Sequence, residues 1–270
     1  MNSGAEVDRN LDVAERLLRA AAADGAGIVV LPEKWSALAP GEVLASLAEP
    51  LDGPVVTAVR GWARQLGIAI VAGSVGERLG EGERIANTSL LIDREGEIAA
   101  VYRKIHMFDV EVGGVVYRES EHEQPGSEVV HASAGDLEIG MTICYDLRFP
   151  ELYRILALRG ANVVTVPSAF TAATGRDHWE VLLRARAIEN QLFVLAANQH
   201  GTAAPEFDSW GHSMIVDPWG RVLDAVSGGD GHAIADLDLG ELESVRERLP
   251  SLASRREGAY AWPVGAGGRA

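Results

Sequence analysis

The sequence predicts an α/β fold in a single domain, a mixed sheet covered by helices. Two observations carry this. Apolar residues alternate between helical spacing and short unbroken runs from one end of the chain to the other. No repeat or long low-complexity linker divides the 270 residues, and 47% hydrophobic against 23% charged is the make-up of a chain that buries a core.

Residues 10–23 place Leu11, Ala14, Leu18 and Ala21 on one helical face, and Gly25 and Gly27 end the run. The apolar stretch 28–32 reads as a buried strand. A helix over 56–66, closed by Gly67, leads to the next strand at 68–73. The Gly-rich, charged stretch 73–84 reads as a loop. Residues 87–93 and 97–104 flank Arg94-Glu95-Gly96 and predict a β-hairpin. Residues 137–143 are a strand that runs directly into Cys144. A helix follows over 150–159, with Pro150 in the first turn, where a missing N–H is harmless. Gly160 closes it, and a strand (161–167), a helix (177–190) and a strand (192–199) come next. Asp217-Pro218-Trp219-Gly220 makes a turn between two strands. A helix near 239–248 precedes a Gly-rich tail, so the domain is expected to span 1–262 with a loose tail over 263–270.

Lys plus Arg total 24 against 39 Asp plus Glu, a formal net charge of -15. That balance argues against nucleic acid or an anionic membrane surface as partner, because both need basic residues to neutralise phosphate. One cysteine cannot form an internal disulfide, which suggests a reducing compartment. The N-terminus lacks a basic-then-apolar signal pattern, and no apolar run approaches the ~20 residues of a spanning helix. The expectation is a soluble, cytoplasmic protein.

Three residues stand at strand ends, where open α/β sheets bind ligands. Cys144 sits at a strand-to-helix junction, Glu33 directly follows the strand 28–32, and Lys104 ends the strand 97–104. Singly, each has an ordinary structural explanation: a buried inert thiol, a capping carboxylate, a solvated lysine. Together they set a nucleophile, a carboxylate base and a cation at three strand ends, a set suited to acyl transfer. The seven histidines form neither His-x-His nor His-Glu-x-x-His, so no metal site is expected. The glycines at 73–82 lack the Lys-Ser/Thr of a phosphate-binding loop. His178 and His106 leave a papain-like Cys–His dyad with Cys144 open.

The stretches LPEKW around Glu33, YRKIHMFD around Lys104 and GMTICYDLRFPELYR around Cys144 resemble, in order, the three signatures of the nitrilase superfamily of carbon–nitrogen hydrolases. The resemblance runs on through 167–191, 211–222 and 246–260, and is greatest to the branch that contains deaminated-glutathione amidase and omega-amidase. It implies a four-layer α-β-β-α sandwich assembled as a homodimer or higher homo-oligomer, with the helices 150–159 and 177–190 at the interface. It also implies an opening β-strand ahead of the first helix. Here the helix begins almost at once, so that strand is expected to be absent or truncated.

For the chemistry, the resemblance implies Cys144 as nucleophile, Glu33 as general base and acid, and Lys104 with the Tyr145 backbone N–H as oxyanion donors. Glu119, in YRES, then holds Lys104 charged and oriented. Arg148, four residues beyond Cys144, is the expected carboxylate clamp, its planar fork suited to bidentate contact. Phe170 and Thr174, in AFTAAT, match pocket positions of related amidases. The expected reaction is ammonia release from a small carboxylate-bearing ω-amide, such as deaminated glutathione or an α-keto acid ω-amide, without metal or organic cofactor. A nitrilase using the same triad, and a catalytically silent α/β assembly module, are the alternatives.

Overall fold

The computed structural model describes residues 1–80, 84–204 and 207–259; the tail expected to be loose lies outside them. In chain order the elements are α1 (Val7–Ala23), β1 (Ile28–Val30), α2 (Gly41–Leu47), α3 (Pro54–Leu66), β2 (Ala69–Val71), β3 (Val75–Glu77), β4 (Ala86–Ile92) and β5 (Ile98–Arg103). A hairpin of β6 (Asp109–Val112) and β7 (Val115–Arg118) follows, then β8 (His131–Ala134), β9 (Leu137–Met141), α4 (Pro150–Leu158), β10 (Val163–Thr165), α5 (Ala172–Asn190) and β11 (Phe193–Ala196). The last elements are a hairpin of β12 (His200–Ala204) and β13 (Phe207–Trp210), then β14 (Met214–Val216), β15 (Val222–Ala225) and α6 (Leu239–Arg248).

Apart from the two hairpins, these strands build the two sheets of the sandwich that the resemblance implies, where apolar patterning alone predicts one mixed sheet. The first runs β1-β2-β4-β3 with β5 also on β4, and the second runs β15-β14-β11-β10-β9-β8. Val71, Leu91 and Tyr102 from the first share one core with Ile139, Met141, Val164 and Val194 from the second, so the sheets pack face to face. Leu18 of α1 and Val55, Val59 and Trp62 of α3 cover the outer face of the first sheet with Ile70, Leu90 and Ile92. α4 packs on β9 and α5 on β11 and β14. The order of layers is α-β-β-α.

Several short elements carry no periodic signal, and the structure adds them to the expected set. β3 lies inside the stretch expected to be a loop, where only three residues pair with β4. α2 has seven residues, and β8 and the strands of the two hairpins have four or five each. α5 begins at Ala172, five residues before the expected start, because Gly175 lets the first turn press against Trp210; a Cβ there would collide with the indole. Among the described residues no strand precedes α1. β1 is therefore the outermost strand of its sheet, and residues 231–238 pass without strand pairing. A groove of about 950 Å³ separates them, lined by Met1, Ile28, Val30, Ala233, Ala235 and Leu237 among others.

The opening residues serve the site instead. Ser3 Oγ donates to the Trp35 carbonyl at 2.8 Å, and Asn10 Nδ2 donates to the carbonyls of Gly4 and Ser36, each at 2.9 Å. Gln199 Nε2 donates to Ser3 Oγ and to the carbonyl of Glu33. The turn after β1 is thus clamped from two directions.

Candidate active site

β1, β5 and β9 deliver their C-terminal ends to one cleft of about 400 Å³, lined by Glu33, Lys104, Glu119, Cys144, Tyr145, Arg148, Phe170 and Thr174 among others. Every residue expected from the sequence is there. Glu33 leaves β1 through Pro32, and the turn is tight because Gly73 lies against it with φ +49°. A Cβ at Gly73 would run into the Pro32 carbonyl oxygen.

Cys144 opens a single 3-10 turn, Cys144–Arg148, with φ +46°, a conformation that costs a non-glycine residue about 1–3 kcal/mol and here turns the thiol into the cleft. Its N–H donates to the Pro167 carbonyl at 2.8 Å. The buried Asp146 holds the turn: Oδ2 accepts from the Ile143 N–H at 2.8 Å and from the Tyr102 hydroxyl at 2.6 Å, and Oδ1 accepts from the His106 N–H and contacts His106 Nδ1. One carboxylate so ties the nucleophile's turn to β5 across the two sheets.

The charged groups interlock. Lys104, 1% exposed, donates from Nζ to Glu33 Oε1 at 2.9 Å and to Glu119 Oε2 at 2.8 Å. Asn87 Nδ2 also donates to Glu33 Oε1, and the Ala169 N–H to Glu33 Oε2. The Phe108 N–H donates to Glu119 Oε2 at 2.7 Å. A second lysine, Lys34, donates to Glu119 Oε1 at 3.1 Å and to Glu123 Oε1 at 2.6 Å.

The titration of these groups follows from burial against charge. Burial opposes a charge on Lys104, but Glu119 and Glu33 outweigh it and hold the ammonium well above its ordinary value. Burial likewise opposes ionisation of Glu119, yet Lys104, Lys34 and the Phe108 N–H hold it far below the usual carboxylate range. Burial pushes the Cys144 thiol up and the Glu33 carboxylate beside it adds to this, while Lys104 works the other way. This balance favours the thiol over a preformed thiolate, so the sulfur needs a base to take its proton.

The papain-like alternative finds no support, because both histidines are committed elsewhere. His106 stacks on Phe149 with ring centroids 3.5 Å apart and meets Asp146, and His178 Nδ1 accepts from Arg148 Nη1 at 3.2 Å. Arg148 lays its guanidinium 4.9 Å from the Phe170 ring centre and 6.0 Å from that of Tyr145. Phe170 is itself braced by Trp179. Thr174 Oγ1 shares a 2.9 Å hydrogen bond with Thr171 Oγ1.

Sequence reasoning missed Lys34, Asn87, Glu123 and Asp146. Only Glu123 had a usable signal. Glu119 and Glu123 are four apart, and the Glu123 N–H donates to the Glu119 carbonyl, so they share a face of one turn. Lys34 adjoins Glu33 but leaves in another direction, since its φ is +51° and its N–H is bound by Ser74 Oγ.

The carbon–nitrogen hydrolase family model matches residues 1–247. Deaminated glutathione amidase of Mus musculus is 42% identical over 93% of this chain and 80% of its own length. Omega-amidase NIT2 of Danio rerio is 34% identical over 93% of this chain and 90% of its own. The crystal structure of the C. elegans NitFhit protein superimposes with a TM-score of 0.89 at 35% identity, covering 97% of this chain and 64% of that longer one.

Proposed function

The chain belongs to the carbon–nitrogen hydrolase family, and from that premise we propose that it is a cysteine-dependent amidase releasing ammonia from a small ω-amide that carries a carboxylate, of the kind represented by deaminated glutathione or an α-keto acid ω-amide. As the sulfur of Cys144 attacks the amide carbon, Glu33 takes the thiol proton. The tetrahedral oxyanion forms against Lys104 Nζ and the Tyr145 N–H. Glu33 returns the proton to the departing nitrogen, ammonia leaves, and a thioester remains. Glu33 then takes a proton from water, hydroxide adds to the thioester, and the acid is released as the thiol re-forms. Such proton transfers contribute about 10²–10⁴ in rate, and each oxyanion donor about 10²–10³ in kcat. Glu119 keeps Lys104 charged and aimed.

The carboxylate preference rests on Arg148. Its guanidinium lines the cleft 4.9 Å from the Phe170 ring centre and hydrogen-bonds His178, and among the described residues it forms no ion pair with a carboxylate. In a chain of net charge -15, an unpaired fork beside the nucleophile is the element an anionic substrate needs. Thr174 and Phe170 complete that wall. Arg148→Lys is expected to lower kcat/KM at least tenfold for an anionic ω-amide and to leave a short neutral amide within twofold. Equal losses on both, or none on either, exclude Arg148 as the carboxylate reader. Ammonia from such amides and none from nitriles of matching length separates amidase from nitrilase. A silent module has no use for Glu33, Lys104 and Cys144 buried together at one cleft, and silence toward the whole panel would restore that reading.

The assembled form in this proposal is a homodimer through α4 and α5. Ile155 and Leu158 on α4, and Val181 and Ile188 on α5, are exposed apolar side chains, Val181 to 66%. A reducing, cytoplasmic setting suits a reaction that depends on one free thiol.

A further inference from the structure

Three carboxylates crowd one side of the cleft, Glu33, Glu119 and Glu123, and Lys104 answers only the first two. Lys34 answers the remainder. Its side chain is 15% exposed, and it bridges Glu119 Oε1 at 3.1 Å and Glu123 Oε1 at 2.6 Å. The bridge is built into the backbone on both sides. Lys34 holds a left-handed conformation with its N–H on Ser74, and Glu123 follows Glu119 on one turn that is pinned to Ile85 by reciprocal backbone hydrogen bonds.

We propose that the Lys34–Glu123 pair is a positioning device for the reaction: Lys34 neutralises the surplus carboxylate charge, and so keeps Glu119 anionic and turned toward Lys104. The pair touches no reacting atom and acts through Glu119. The groups facing Lys34 are Glu123 and Glu119 from the 119–123 turn, Glu33 from its own turn, and Lys104 from the end of β5. The charge balance is the argument. With Lys34 present, three carboxyls share two ammoniums; without it they share one, and protons must replace the missing charge. Glu123 stands nearest to taking one. Burial, reinforced by Glu119 and partly offset by Lys34, pushes its carboxyl up to about 7, and its Oε2 is buried without a hydrogen-bond partner among the described residues. Glu119 follows, and a protonated Glu119 no longer holds Lys104 for the oxyanion.

This rests on the amidase reading, and the experiment compares variants only after the parent protein releases ammonia, so silence of the parent tests that reading and not this one. The measurement is kcat and KM against pH for the parent, Lys34→Met, Lys34→Arg and Lys34→Met/Glu123→Gln. Lys34→Met is expected to lower kcat tenfold to a hundredfold, with KM within threefold, and to move the acid limb of kcat up by about one pH unit. Lys34→Arg keeps the limb at the parent position. The double variant, which removes the surplus carboxylate with the lysine, brings the limb back. A merely structural lysine would lower Tm without moving the limb. A Lys34→Met limb at the parent position overturns the proposal. If Lys34→Met does not fold, a double variant whose limb stays raised overturns it as well.

Discussion

Replacing Lys104 by Met tests the centre of the proposed machinery. The Nζ lies 2.9 Å from Glu33 and 2.8 Å from Glu119, all three side chains being at most 8% exposed. At an effective dielectric near 20, a unit pair at that separation attracts by roughly 6 kcal/mol. Desolvation offsets much of this while the pair is intact, but deleting one partner of a buried pair typically costs about 3–5 kcal/mol because the other charge is left uncompensated. The protein relieves that cost by protonating a carboxyl. Two losses then fall on catalysis together: one oxyanion donor, about 10²–10³ in kcat, and the 2.9 Å ion pair that orients Glu33.

The expected outcome is at least a thousandfold fall in ammonia release, read in single-turnover assays beside thermal unfolding at several pH values. Glu119 ionises far below its ordinary 4.5 in the folded parent, so its stabilising share is present above about pH 4.5 and is lost as pH falls through the depressed folded value. Lys104→Met has lost that share already. The Tm gap between parent and variant is therefore widest near neutrality and narrows on acidification. Activity within tenfold of the parent, or a gap that widens toward acid, would refute the reasoning.

Four further outcomes follow from other parts of the molecule. Cys144→Ser abolishes turnover while keeping the parent Tm within a few degrees, because Glu33 cannot activate a hydroxyl; residual ammonia release above a hundredth of the parent's removes Cys144 as nucleophile. Gly73→Ala lowers both Tm and activity, since the new Cβ drives into the Pro32 carbonyl beside Glu33; unchanged kinetics would show that the turn tolerates displacement. Val181→Glu with Ile188→Glu is expected to convert the proposed homodimer to monomer in light scattering, and a mass that these changes leave unaltered denies α5 the proposed interface role. Adding seven alternating Val and Thr residues ahead of Met1 raises Tm by several degrees by pairing the open edge of β1, whereas a Gly-Ser addition of that length does not; equal Tm for both denies the groove a strand-binding role.

The large features were legible because they repeat a physical signal. The helix carrying Leu18, the β4–β5 hairpin and the strand leading to Cys144 each have enough residues for apolar spacing to declare itself. What failed was short or non-local. β3 has three residues and is a strand only because β4 offers an edge. The split into two sheets is decided by which strand reaches which neighbour, and no local pattern encodes that.

The site divides along the same line. Glu33, Lys104 and Cys144 could be found because strand ends are where chemistry is displayed, and Glu119, Phe170 and Thr174 because their flanking residues match a family pattern. Asp146 and Lys34 had neither advantage. Asp146 reads as one more residue in a turn until folding brings Tyr102 from 44 positions away within 2.6 Å of it. Lys34 reads as the charged neighbour of Glu33, yet its partners lie 85 and 89 positions downstream. Such residues set how many charges a buried cleft holds and what balances them. Their effect shows as a sum over groups from distant parts of the chain, here three carboxylates against two ammoniums. The reacting residues can be located one motif at a time, but the protonation state in which they react depends on that sum, and only the folded arrangement supplies its terms.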